Sequence, residues 1–245
     1  MAQTDIHRIQ IFGERCSGTN YLQALLERNL PRASLCRDYG FKHFFPRVAP
    51  GQAPDCLFVI IYREPLDWLS SLYRNPWHVA PELRRLPFSD FIRHEWWCVW
   101  DEDAGVRPGD ERYGSEMLQE RCPDTGRRFR DVLAMRSSKI RAWEALRDTV
   151  AHAVSLNYET LRRDPAAAIA RLEQDFGLRT APRFRDVRQY KGGRWYQGWR
   201  ARLLRKPPPA IGAADRDYIL ARLDQALERR IGYVISAAGL ENRTD

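Results

Sequence analysis

The stretch GERCSGTN, from Gly13 to Asn20, combines residue types that can bind a phosphate group. It follows an apolar run that predicts a strand and leads into a pattern that predicts a helix. The first backbone N–H groups of a helix, together with the hydroxyls of Ser17 and Thr19, can bind an anion. The spacing from Gly13 to Gly18 is that of the Walker phosphate loop, but Thr19 and Asn20 replace its Lys and its Ser or Thr. Such an environment can bind an anion without a lysine.

A second pair of anion-binding side chains follows another apolar run. Arg63 comes directly after the run Cys56–Tyr62, and Ser71 lies eight positions later in a predicted helix. A guanidinium forms charge-assisted hydrogen bonds with phosphate oxygens, and a hydroxyl adds a further donor. The sequence therefore predicts two anion sites, each beside the end of a strand.

Three strand–helix units position these residues. The predicted pairs are the strand 7–12 with the helix Thr19–Asn29, the strand Cys56–Tyr62 with a helix that opens at Pro65, and the strand 153–158 with a helix that ends at Gly177. Proline is tolerated in the first turn of a helix, and glycine is favoured just past its end. The alternation predicts an α/β fold with a central, mostly parallel sheet flanked by helices. Such sheets bind ligands at the carboxyl ends of their strands.

The remaining segments are less regular. PFSDFIRHEWWCVW predicts an aromatic helix with Ser89 near its N-cap, and DVLAMRSSKIRAWEALRD and DRDYILARLDQALERRIGY predict amphipathic helices. The charged, Gly-containing segment 101–126 predicts a long loop. QYKGGRWYQGWRARLLRKPPP is basic and interrupted by Gly and Pro, so it also predicts a loop.

The composition excludes several classes of protein. The 245 residues are 44% hydrophobic and 29% charged, as in a soluble globular protein, and no stretch offers about 18 uncharged apolar residues for a membrane span. The N-terminal residues lack the pattern of a signal peptide, so we expect a cytoplasmic location. The five cysteines are scattered, which argues against a disulfide or zinc framework. The net charge of +8 favours polyanionic partners, but no basic face with interleaved aromatic residues indicates nucleic acid.

Three motifs, in this order, resemble those of the sulfotransferases that use 3′-phosphoadenosine 5′-phosphosulfate (PAPS). That family has a 5′-phosphosulfate loop ending in S-G-T, which residues 17–19 match. A later strand is followed by R-[ND]-P-x-[DE]-x-x-x-S, which the stretch from Arg63 to Ser71 matches except at Glu64. The family's Y-E-x-[LM]-x-x-D-P is matched by YETLRRDP, from Tyr158 to Pro165.

The resemblance implies a fold and a donor. The chain is similar to a single sulfotransferase-like domain over residues 1–245, of the P-loop NTPase-like sulfotransferase fold, with an acceptor or lid insertion around 76–126. The donor would be PAPS, the product adenosine 3′,5′-bisphosphate (PAP), and no metal would be needed. The residues that the resemblance places at the donor are Arg15, Cys16, Ser17, Gly18, Thr19, Asn20, Arg63, Ser71, Tyr158, Lys191 and Gly192.

A looser match implies the catalytic groups. Many family members carry K-T-H-L-P in a loop before the 3′-phosphate arginine, with the histidine as base and the lysine as a transition-state partner. GFKHFFP provides Lys42 and His43 in that region, so His43 is the predicted base, with His94 and His78 as alternatives. The cation that usually precedes S-G-T is displaced by one residue to Arg15. Either this arginine or Lys42 would neutralise the leaving phosphate.

Two other functions stay open at this point. A nucleotide kinase or hydrolase with a Walker loop shares the fold, but it normally needs the loop lysine that this chain lacks. A non-catalytic nucleotide- or glycan-binding relative would explain the displaced cation and Cys16. The acceptor of an active enzyme would be a hydroxyl or amine on a small molecule or a carbohydrate. Trp96, Trp97 and Trp100 would then either stack on such an acceptor or belong to the core.

Overall fold

The computed structural model describes residues 5–49, 51–188, 190 and 206–235. Within these residues four parallel strands, β1 Arg8–Phe12, β2 Ser34–Leu35, β3 Cys56–Tyr62 and β4 Ala153–Asn157, form one sheet in the order β2-β1-β3-β4. The helices are α1 Thr19–Asn29, α2 Pro65–Arg74, α3 Phe88–Arg93, α4 Val132–Arg147, α5 Tyr158–Arg163, α6 Pro165–Phe176, α7 Ala213–Arg222 and α8 Gln225–Arg230. The predicted α/β class with a parallel sheet flanked by helices is confirmed.

The chain divides into two compact units. The first consists of Met1–Trp68 and Ala142–Arg205 and contains the sheet. The second consists of Leu69–Arg141 and Lys206–Asp245. The predicted insertion around 76–126 lies within the second unit, and its role stays a prediction.

The register of the sheet brings three strand ends to one edge. All seven residues of β3 are buried, as expected for a strand with neighbours on both sides and helices on both faces. β1 pairs with β3 so that Phe12 lies opposite Ile60, and β4 pairs with β3 so that Asn157 lies opposite Tyr62. Because the strands are parallel, the segments that follow β1, β3 and β4 begin side by side.

The two faces of the sheet have separate cores. Side chains of alternate residues point to opposite faces of a strand, so β1 and β3 each contribute to both cores. One core joins β1 and β3 to α1 and α6 through Ile9, Ile11, Leu57, Val59, Ile61, Leu22, Leu25, Leu26, Ile169 and Leu172. On the other face the ring of Phe12 lies 6.3 Å from that of Phe58 and 6.5 Å from that of Trp143 on α4. Both cores hold β1 and β3 rigidly, which fixes the segments that follow them.

Local capping explains where the helices beside this edge begin. α2 starts at Pro65, as predicted, and the Glu64 carboxylate accepts a hydrogen bond of 2.8 Å from the Asp67 N–H. The predicted strand 153–158 ends one residue early because Tyr158 begins α5. The single helix expected after it is two helices, because the Asp164 side chain caps α6. α6 ends before Gly177, as predicted.

Three further expectations are wrong. The aromatic helix ends at Arg93, because His94 takes an extended conformation, and the tryptophans that follow lie outside it. Ser89 does not cap that helix; its hydroxyl donates to Asp215 at 2.7 Å. The helix predicted near the C-terminus is two, α7 and α8, because Asp224 caps the second. The sequence also gave no sign of β2, which is only two residues long.

The second unit contains buried ion pairs. The Arg136 guanidinium donates two hydrogen bonds to Glu228, at 2.6 and 2.8 Å, with both side chains almost fully buried. Lys139 pairs in the same way with Glu120. Such pairs stabilise a fold only when their geometry compensates for lost hydration, and removal of one partner leaves a costly buried charge. Within this unit the first pair therefore joins α4 to α8, and the second joins α4 to the segment Leu118–Glu120.

Candidate functional site

The loop after β1, which we call the nest, contains two residues with left-handed backbone conformations. Cys16 and Gly18 both adopt left-handed conformations, with φ of 65° and 101°. Left-handed residues in such a turn direct successive N–H groups to one side, which creates a concave anion site. A non-glycine residue with positive φ is strained, and such strain is concentrated at functional sites. Cys16 therefore marks this loop as more than a connecting turn.

Ser17 shapes the loop from within. It is fully buried, and its N–H and hydroxyl both donate to the Glu14 carbonyl, at 3.2 and 2.7 Å. A serine hydroxyl has one proton, so in this arrangement Ser17 has none left for an anion. The donors that face an anion are instead the first N–H groups of α1.

The N-terminus of α1 has the charge of an anion site. The helical ladder begins with the bond from Leu22 N–H to the Gly18 carbonyl, at 3.0 Å, which leaves the N–H groups of residues 19–21 without an intrahelical partner. No side chain caps this end, and its first turn contains no acidic residue. The positive end of the helix dipole is therefore not compensated by a carboxylate of α1.

Lys42 lies at this positive helix end. Its backbone carbonyl accepts a hydrogen bond of 3.0 Å from the Gly13 N–H, which fixes its segment against the loop. Its ammonium group donates to the Asn20 side-chain carbonyl in the first turn of α1. A cation and the positive end of a helix dipole can both attract an anionic ligand. The structure therefore brings a second positive group to the first turn of α1.

His43 is held against the start of the same loop. Its side chain is 6% exposed, and its Nδ1 lies 2.7 Å from the Gly13 carbonyl oxygen. A carbonyl only accepts, so Nδ1 must carry the proton, and in the neutral ring Nε2 is then the basic nitrogen. The ring of Phe41 packs edge-on against the imidazole, with centroids 5.1 Å apart. This is the tautomer that a general base acting through Nε2 requires.

Arg63 connects the end of β3 to the loop. Its Nη1 donates to the Cys16 carbonyl at 3.1 Å, and its guanidinium lies 4.7 Å from the centroid of the Tyr158 ring. That ring in turn covers Gly18, where an added Cβ would lie 2.3 Å from a ring carbon. The Tyr62 hydroxyl, just before Arg63, donates to the buried Glu144 carboxylate at 3.0 Å. The arginine is thus oriented by all three strand-end segments.

Arg15 occupies a different environment from Lys42. Arg15 is 4% exposed, and its carbonyl accepts a hydrogen bond of 2.8 Å from the indole N–H of Trp68. The end of β3 is also tied to α5, because the Glu64 N–H donates to the Glu159 carboxylate at 3.0 Å. Arg15 therefore belongs to the buried support of the loop. Of the two cations predicted for the leaving phosphate, Lys42 is the one seen to reach the first turn of α1.

Sequence reasoning missed two residues beside the loop, Arg162 and Tyr21. The Arg162 guanidinium lies 4.4 Å from the centroid of the Tyr21 ring, and the ring of Tyr190 lies 5.3 Å from that of Tyr21. Burial raises the pKa of Tyr190 and of Tyr21. One signal was available, since Arg162 follows Tyr158 by four positions and helical neighbours at this spacing share a face.

The remaining predicted residues belong to the second unit or to parts of the chain that the structure does not describe. Ser71 lies on α2, in the part that belongs to the second unit. Lys191 and Gly192 lie outside the described residues. In the second unit, the alternative base His78 is 5% exposed and its Nδ1 lies 2.6 Å from Asp101, whereas His94 is exposed.

The three tryptophans have different environments. Trp96 is 2% exposed and belongs to the core of the second unit. Trp97 is partly exposed, with the Arg128 guanidinium 4.1 Å from its ring centroid. Trp100, also partly exposed, has the Arg112 guanidinium 5.7 Å from its ring. Core packing thus accounts for the first of them.

Comparison with known proteins found no matching family model, no matching curated protein and no matching solved structure. None of the helices in the described ranges is long and apolar enough to cross a lipid bilayer. The chemistry of the site itself is therefore the guide to function.

Proposed function

We propose that this chain is a PAPS-dependent sulfotransferase of the P-loop-like sulfotransferase fold, which transfers a sulfuryl group to a hydroxyl or amine acceptor. The observation that carries the proposal is the arrangement around the first turn of α1. The nest after β1, Arg63 after β3 and Tyr158 after β4 meet there, and Lys42 and His43 are hydrogen-bonded to the same loop. This set provides anion-binding groups and a base without the Walker lysine.

The donor is the ligand whose charges fit this set. The nest and the first turn of α1 would bind the 5′-phosphosulfate, as helix N-termini bind phosphate groups. Arg63, held between the Cys16 carbonyl and the Tyr158 ring, would bind the 3′-phosphate, a group that ATP lacks. A site with a second anion position would thus select PAPS over ATP.

The reaction would be an in-line displacement at sulfur. The acceptor oxygen or nitrogen forms a bond to sulfur while the bond from sulfur to the 5′-phosphate oxygen breaks, which leaves PAP. His43 Nε2 would take the acceptor proton, since imidazole exchanges protons readily near neutral pH. Lys42 and the N–H groups of α1 would stabilise the charge that develops on the leaving phosphate. The protein mainly positions the reactants and stabilises charge, as in phosphoryl transfer.

Release of PAP from PAPS tests this proposal directly. The purified protein is incubated with PAPS and a mixture of sugar, phenol and amine acceptors in EDTA, and PAP is quantified by chromatography. The proposal predicts PAP release that the Lys42→Met variant lowers by roughly 10²-fold or more, as on loss of other charge-stabilising groups. PAP release at the same rate by both proteins, or none above background, would reject it.

A further inference from the structure

We propose that the cleft between α1 and the edge strand β2 binds the acceptor, and that it fits a small polyhydroxylated molecule such as one pyranose unit. This inference rests on the proposed function, because it places the acceptor beside the donor. It names a position and a chemical class that the motifs of the sequence do not indicate.

The cleft lies along the uncovered edge of β1. β2 pairs with β1 only at Arg8 and Ile9, so among the described residues no strand lies beside the later part of β1 on that side. A cavity of 170 Å³ opens there. Its polar lining comes from β1, α1 and the segment after β2, and comprises Gln10, Gln23, Glu27, Cys36, Arg37 and Lys42. The volume suits a small acceptor rather than a large planar one.

Lys42 belongs to both the cleft and the donor site. It lines the cleft, and its ammonium group also donates to Asn20 in the first turn of α1. Asn20, Gln23 and Glu27 follow one another at intervals of three and four residues, so they lie on one face of α1. A molecule in this cleft would therefore lie along the face of α1 that begins at the anion loop.

The lining favours hydroxyl groups over an aromatic ring. The Gln23 amide donates to Glu27 at 3.0 Å, which leaves acceptor oxygens and a further N–H for a ligand. Arg37 and Lys42 add donors, and Glu27 adds an acceptor. Hydroxyl groups both donate and accept, so they match such a mixed lining. The residues that line the cleft, within the part of the chain that the structure describes, include no aromatic ring on which a phenol could stack.

Cys36 provides a chemical probe inside the cleft. Its thiol is half-buried, and its sulfur lies 4.0 Å from that of the buried Cys56. A hydrogen bond donated by the Cys56 thiol lowers the pKa of Cys36 to about 7. A large share of the Cys36 side chains is therefore in the reactive thiolate form at neutral pH. The sulfur–sulfur distance is about twice the length of a disulfide bond, so the two thiols are not bonded to each other. Cys36 therefore stays available for labelling.

Three thiols are partly exposed, so one labelling experiment can measure accessibility at three positions. Cys16 lies in the anion loop, Cys36 in the cleft, and Cys122 in the second unit serves as the reference. The wild-type protein is alkylated with iodoacetamide at pH 7, with and without PAP and with a panel of methyl hexopyranosides or 4-nitrophenol. Peptide mass spectrometry then gives the rate at each cysteine.

The proposal predicts separate protection of the two sites. PAP slows alkylation of Cys16, and in the PAP complex at least one glycoside slows alkylation of Cys36. At a glycoside concentration ten times its dissociation constant this rate falls about tenfold, because only the unoccupied fraction reacts. Gln23→Leu removes the glycoside effect and keeps the PAP effect. Gln52→Leu, a control at an exposed glutamine outside the cleft, keeps both.

Failure of this inference differs from failure of the proposed function. If PAP protects Cys16 but no glycoside protects Cys36, or if 4-nitrophenol protects it instead, the cleft assignment is wrong and the donor site stands. If PAP leaves Cys16 unprotected, the proposed function fails and this inference fails with it.

Discussion

The ring of Tyr158 lies directly against Gly18, so that a Cβ at Gly18 would be 2.3 Å from a carbon of that ring. Gly18 also has a φ of 101°, which side chains rarely adopt. Two independent constraints therefore require glycine at the start of α1. The Tyr158 ring therefore contacts both the anion loop, at Gly18, and the guanidinium of Arg63.

Gly18→Ala should destabilise the protein and weaken binding of PAP. The matched control is Gly109→Ala, because Gly109 has a similar φ of 96° but no atom within 4 Å of the added Cβ. Both variants bear the backbone cost, of about 1–3 kcal/mol, but only Gly18→Ala also displaces the ring. Urea unfolding of both variants would measure the difference. Equal losses of unfolding free energy in the two variants would mean that the Tyr158 ring does not lie on Gly18.

Arg63→Ala should raise the dissociation constant of PAP and leave that of AMP nearly unchanged. Loss of a charge-assisted contact with the 3′-phosphate costs about 2–3 kcal/mol, or roughly 30- to 150-fold in affinity. Arg171→Ala, at an exposed arginine paired with Asp175, is the control and should bind PAP normally. An equal loss of AMP and PAP affinity in Arg63→Ala would place this arginine at the 5′-phosphate instead.

His43→Asn should abolish turnover and retain binding of PAP. The asparagine amide can still donate to the Gly13 carbonyl, as Nδ1 does in the wild type, but it has no basic nitrogen in the position of Nε2. We expect the rate of PAP release to fall by about 10²-fold or more. The decline of this rate towards acid pH, which reports protonation of the base, should disappear from the pH–rate profile. An active His43→Asn enzyme would refute the assignment of His43 as the base.

Asp101 should make stability depend on pH in the acid range. Burial alone would raise its pKa, but hydrogen bonds from His78 and Arg84 hold it at about 2. A carboxylate whose pKa is lower in the folded state adds stability above its unfolded pKa and loses it as pH falls towards the folded value. Between about pH 4 and pH 2 the wild type should lose roughly 2 kcal/mol on this account. Urea unfolding of the Asp101→Asn variant should show a smaller loss of unfolding free energy over this pH range. If the unfolding free energy depends on pH identically in the two proteins, Asp101 does not have a lowered pKa.

The sequence predicts the site better than it predicts the second unit. β3 and α1 match their predicted bounds because a buried apolar run and a helical period are local signals. The aromatic helix fails after Arg93 because tertiary contacts, such as the bridge between Trp96 and Phe129, override local pattern. Contacts of that kind depend on residues distant in sequence.

Within the site, motifs give positions but not partners. The S-G-T motif predicts an anion loop, yet it suggests that the Ser17 hydroxyl faces the anion, whereas that hydroxyl donates to Glu14. Displacement of the cation to Arg15 left two candidates open, and only geometry shows Lys42 at the first turn of α1. Side-chain direction after a turn depends on backbone conformation that the residue types alone do not determine.

Calorimetric titration of the purified chain with PAP tests the central claim most directly. AMP, ADP and ATP, each with and without Mg²⁺, serve as the comparison ligands. The account predicts micromolar binding of PAP that is independent of Mg²⁺ and much stronger than that of AMP. Preference for Mg²⁺-ATP, or no binding of PAP, would contradict it.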